Sequence, residues 1–180
     1  MDTYIHDLKK RAHALPHSEV QGFLGSFLDL REMVYAMLRD IPEEKLDYKP
    51  NTEPETADLR ECFAELIRVE ASLVKGLETG KRQMGGGRDA ISKKPTKEEL
   101  LRAFHDIDMK LFAIITDKNF LPDKEIPWIN NDGTVRSQWK AMWHLWGLRN
   151  HENLHLGMIR RDIDAIKVKP PTEYTRYWYG

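Results

Sequence analysis

Along four long stretches of this chain, apolar residues return every three to four positions, the spacing that lays one stripe down the side of an α-helix. The first runs from about Ser18 to Asp40, with Val20, Phe23, Phe27, Leu30, Val34, Met37 and Ile41 in line. The second spans about Thr56 to Thr79 and aligns Leu59, Phe63, Leu66, Leu73 and Leu77. The third opens at Thr96 and carries Leu100, Phe104, Ile107, Leu111 and Ile114; the fourth covers about Ser137 to Ile163. Ser18 with Gln21, and Thr96 with Glu99, have capping-box spacing, while Pro42 and Gly80 act as stops. Four such stripes bury their apolar faces against one another, which predicts an all-α, up-and-down four-helix bundle.

The rest of the chain fits one domain over residues 1–180. Hydrophobic residues make up 41% and charged residues 32%, enough for a core that needs no disulfide or structural metal. Twenty-eight basic against 29 acidic residues, net −1, leave no electrostatic basis for a nucleic-acid or acidic-membrane partner. The single cysteine, Cys62, has no internal partner, which suits a reducing compartment. No apolar run approaches the roughly 20 residues of a membrane span and the start lacks a signal-peptide pattern, so a cytoplasmic protein is expected.

Residues 1–16 read as a short, loosely attached amphipathic helix and 170–180 as an extended aromatic tail. Asp47 to Pro54 reads as an extended crossover. Gly85-Gly86-Gly87 reads as a mobile loop, since no GK[ST] follows to cradle phosphate. Ile126 to Val135, with Asn131-Asp132-Gly133 inside, reads as a small hairpin before the last helix.

The chemistry concentrates in His151-Glu152-Asn153-Leu154-His155. Histidines four apart share a helix face, near enough for both imidazoles to reach one divalent ion such as zinc, nickel or iron, with a third ligand needed from another element. Leu148, Met158 and Ile159 continue that face, so the pair is expected to point inward, where unpartnered imidazoles are costly and a metal satisfies both. The string also fits HExxH, in which Glu152 would be the base of a zinc peptidase. That reading wants a sheet edge beside the motif, and here helices dominate upstream.

Six neighbours bear on the site. Glu70, on an apolar stripe, is either an orienting partner for a ligand histidine or half of a salt bridge with an arginine such as Arg149. His144 is either a fourth ligand or proton carrier, or a hydrogen-bonded core histidine. Trp139, Trp143 and Trp146 read as core and interface aromatics, and Cys62 as a small buried hydrophobe.

Several stretches resemble the DinB/YfiT-like family of four-helix bundles. Ile41-Pro42-Glu43-Glu44-Lys45-Leu46-Asp47-Tyr48-Lys49-Pro50 is similar to its crossover, and Leu59 to Glu70 to its second helix. Asn150-His151-Glu152-Asn153-Leu154-His155-Leu156-Gly157-Met158-Ile159 is similar to its last helix, and Val168-Lys169-Pro170-Pro171 to its C-terminal turn. The resemblance implies a divalent metal in the bundle, held by His151, His155 and the second-helix position occupied here by Glu65, where the family has histidine. It implies a homodimer and a metal-dependent hydrolase or thiol-dependent transferase acting on a small molecule. Leu156-Gly157-Met158 replaces the family's polar Arg-Gly-Gln, which leaves open a bundle whose site is degraded and whose role is binding or structural.

Overall fold

The computed structural model describes residues 2–16, 18–49 and 57–166. The expected tail at 170–180, the C-terminal turn and residues 50–54 of the crossover lie outside them. Five helices carry the fold: α1 (Asp2–His13), α2 (Glu19–Asp40), α3 (Leu59–Thr79), α4 (Lys97–Ile115) and α5 (Ala141–Ala165), with single 3-10 turns at Glu43–Lys45 and Arg88–Ala90. The four long stripes meet in one core, where Phe23, Val34, Leu38, Phe63, Leu66, Leu73, Leu100, Phe104, Leu145 and Ile159 are almost wholly withdrawn from water. Among the described residues no helix is long and apolar enough to cross a membrane.

The helix ends follow local chemistry. Thr96 accepts from the Glu99 amide at 3.2 Å while the Glu99 carboxylate accepts from the Thr96 amide at 2.7 Å, completing the expected box. At Ser18 only half of a box forms. Its hydroxyl accepts from the Gln21 amide, and the Gln21 side chain turns to the His13 carbonyl. Asp58 rather than Thr56 sets the start of α3, and Gly80 ends it in the left-handed region at φ 76°. Arg60 on α3 pairs with Glu43 and Asp47 and donates to the Pro95 carbonyl, clamping the turn after α2 to the approach to α4.

Three expectations are corrected. The N-terminal helix is firmly docked: Ile5, Leu8 and Ala12 are buried against the bundle, and Lys9 ion-pairs with Asp29 and Glu32 of α2. The fold is not purely α. The expected hairpin is longer, with β2 (Glu125–Ile129) antiparallel to β3 (Val135–Lys140), so residues 137–140 are strand rather than the start of the last helix. Alternation won over helical period there, because Trp139 pairs across to Ile126 and meets Trp128 edge-on at 5.8 Å. A third strand, β1 (Arg82–Gln83), runs parallel to β2. Finally, the triple-glycine loop is packed rather than free. A side chain at Gly87 would sit 1.9 Å from the Arg68 carbonyl oxygen, so only glycine lets the loop lie on α3.

Candidate functional site

α5 presents its chemistry on two faces, because neighbours in a helix point about 100° apart. On one, His151 and His155 stand side by side with ring centroids 4.4 Å apart. Both Nδ1 atoms are buried and neither has a hydrogen-bond partner. Burial, then the His155 ring, then the Arg82 charge push the His151 pKa down to about 4. Burial lowers His155 as well. Both rings are therefore neutral at physiological pH, the state in which imidazole offers a lone pair to a metal. Each neutral ring carries one N–H and one lone pair, and two such rings side by side can turn both lone pairs to a divalent cation.

Glu65 fits less directly. Its side chain is 43% exposed, lies 3.7 Å from Arg68 on its own helix, and is pushed upward in pKa mainly by burial. Among the described residues no three His, Cys, Asp or Glu side chains are gathered as a metal site would hold them. The structure thus brings the two histidines together and places Glu65 with an arginine.

On its other face α5 sends Glu152 into the centre of the bundle, where it ends 2.6 Å from Arg31 of α2. Arg31 is wholly buried and also reaches Glu70 of α3 at 2.5 Å and Asp108 of α4 at 2.8 Å. Tyr4 of α1 and Tyr35 of α2 donate to the far oxygen of Asp108 at 2.9 and 3.1 Å. The guanidinium is flanked by the rings of Phe104 and Phe27, at 4.6 and 5.0 Å. Every helix contributes to this cluster. Several of its contacts, Arg31 Nε to Asp108 and Arg31 to Glu152 Oε1 among them, are close without hydrogen-bond alignment.

One cation faces three carboxyl groups, so full ionisation would leave two uncompensated charges in a dry interior. Burial pushes Glu70 well above the usual carboxylate range, with Arg31 opposing and the neighbouring carboxylates adding. The same burial takes Glu152 up to about 7. The carboxylate that a peptidase would use as base is therefore committed to Arg31. The partner of Glu70 is also Arg31 and not Arg149, whose guanidinium instead donates to Ser26 at 2.8 Å.

His144 is a core histidine. Its Nε2 donates to the Ile126 carbonyl at 2.9 Å, leaving Nδ1 to accept from Arg82 at 3.4 Å. Cys62 is buried and its thiol is pushed up to about 11, chiefly by burial, so it is a packing residue.

Sequence reasoning passed over Arg31, Asp108 and Arg82. For the first two a signal existed. Arg31 has Phe27, Leu28, Val34 and Tyr35 at its helical neighbours, and Asp108 has Phe104, Leu111 and Phe112, so each charge sits on an apolar stripe. Arg82 lies in a two-residue strand with no periodicity to read.

The fold and site together define a mostly helical bundle with a buried ion cluster at its centre and a neutral histidine pair beside it. In comparisons with known proteins, no family model and no curated sequence matches this chain.

Proposed function

We propose that the chain is a divalent-metal-binding bundle protein of the DinB/YfiT kind, cytoplasmic and homodimeric, acting on a small molecule as a metal-dependent hydrolase or thiol-dependent transferase. The observation that carries this reading is the pair of unpartnered, buried Nδ1 atoms on His151 and His155. Leaving two such buried ring nitrogens unsatisfied costs about 1–3 kcal/mol each, and a cation relieves each one that carries its lone pair there. Glu65 is the third ligand that the resemblance implies. Its half-exposed pairing with Arg68 is worth at most about 1 kcal/mol, so releasing it opposes ligation only weakly. When bound, the ion supplies Lewis acidity. The chain's own part is to hold both imidazoles neutral and to lock the inner face of α5 through Glu152 and Arg31.

Metal stoichiometry and affinity test the reading, using protein made without an affinity tag and stripped of metal. One zinc, nickel or iron(II) ion per chain is expected at micromolar concentration. His151→Ala or His155→Ala should abolish uptake, Glu65→Ala should weaken it, and Glu152→Gln should leave it unchanged. Absence of uptake by the parent protein would hand the case to a degraded bundle with a binding or structural role. The pairing of Glu65 with Arg68 favours that second reading.

A further inference from the structure

Arg82 is a buried cation that meets no carboxylate among the described residues. It is 6% exposed, forms no ion pair among the described residues, and its Nε has no hydrogen-bond partner. What it does have is weak: contacts at 3.4 Å from its terminal nitrogens to the Val69 carbonyl and to His144 Nδ1, and the face of Trp128 at 4.7 Å. Burial alone draws its pKa down to about 10, so the charge persists at neutral pH. An isolated charge withdrawn from water is among the most costly arrangements in a protein interior.

The chain goes to some length to put it there. Gly76 lets β1 close on α3, since a Cβ at that position would meet Arg82 Cβ at 2.9 Å. Ser72 then ties the strand down by donating to the Gln83 carbonyl at 2.9 Å. His144, fixed by Ile126, offers its only free nitrogen to the guanidinium.

Beside Arg82 lies a cavity of about 330 Å³, walled by α3, β1, the glycine loop and Trp128. Arg68 and Arg88 also line it, as does Glu65. Arg68 is occupied by Glu61 at 2.5 and 3.2 Å, whereas Arg88 has no ion pair among the described residues. A second buried N–H without a partner is the indole Nε1 of Trp128, another residue that lines the cavity. Both unpartnered groups are N–H donors, and only an acceptor satisfies them. The opposite case, an apolar ligand, would leave both donors stranded.

We propose that this cavity binds a small molecule through an oxyanion group, a carboxylate or phosphate taken by the Arg82 guanidinium with the Trp128 indole N–H as second donor and Arg88 at the mouth. A guanidinium presents paired donors that match either group, and the volume is at the small end of ligand sites. The site does not require a metal.

Calorimetric titration of metal-stripped protein, in Tris chloride free of chelator, tests this with inorganic phosphate and with succinate, choline chloride serving as the ionic-strength control. Saturable one-to-one binding of at least one anion is expected, and which one binds distinguishes a phosphate from a carboxylate ligand. Arg82→Gln should weaken it about tenfold or more, with Arg82→Lys recovering part of the loss, and Trp128→Phe should weaken it several-fold. The indole N–H resonance of Trp128 should move in the parent protein, a readout that survives if the Arg82 variants fail to fold. Lys110→Gln, on a different cavity, should change nothing. No saturable binding below about 10 mM, or equal affinity in the parent and Trp128→Phe proteins, overturns the proposal. Because metal is absent throughout, neither result depends on the metal reading.

Discussion

Glu152 and His151 are adjacent in sequence, yet their proton equilibria are driven in opposite directions. Glu152 has a folded-state pKa of about 7 against 4.5 ordinarily, so the folded protein binds the extra proton between those values and stability falls as pH rises through them. His151 stands at about 4 against 6.5, so the unfolded chain binds the extra proton and stability rises with pH through that window. The contributions of these two groups oppose each other over most of that range. In metal-free protein, Glu152→Gln should expose the rising limb, with its gain over the parent largest above pH 7. Urea unfolding across a pH series measures this, and parallel profiles for variant and parent would refute it. Removing the shared cation is a harsher change: Arg31→Met leaves the buried carboxyl groups without their counter-charge and should cost about 3–5 kcal/mol.

At the scale of elements, the short strand and the glycine loop depend on close approach to α3. Gly87→Ala cannot be accommodated against the Arg68 carbonyl without moving backbone on one side, and a cost of about 1–3 kcal/mol is expected. A melting temperature equal to that of the parent would show that the loop yields freely. The helices behave differently. Their caps are built from residues within one turn, which is why Thr96 with Glu99, and Gly80, were readable directly. The strands draw their partners from afar: Arg82 pairs with Trp128 and Gln83 with Ile129, a match that no local pattern announces.

Across the whole molecule, the Arg31 cluster joins all five helices at one point, and α5 turns a different face outward. Trp143 is 57% exposed and Leu154 63%, and being 11 residues apart, three helical turns, they share that outer face. With the resemblance, they are where we propose the dimer contact. Light scattering should give twice the 21.1 kDa chain mass, and Trp143→Glu should return the protein to one chain. A parent mass near 21.1 kDa at micromolar concentration counts against the dimer.

The long helices, the caps at Thr96 and Gly80 and the adjacency of His151 and His155 were legible in the sequence because each depends on residues within four positions of one another. The docking of α1 was not, since its apolar stripe finds a partner only once α2 is in place. Nor was the fate of Ser137–Lys140, where helical period and strand alternation compete and a cross-strand tryptophan decides. The charges show the division most sharply. Arg31, Glu70 and Asp108 each stand out as a charge on an apolar stripe, whereas Leu148 and Ile159, expected on the face of His151, are buried with Glu152 instead, and which charges meet is settled by the packing of four helices. Arg82 carries no local mark at all. It became a buried cation without a counter-ion among the described residues only when β1 closed on α3, because burial and ion pairing are properties of the assembled interior and not of any stretch of chain.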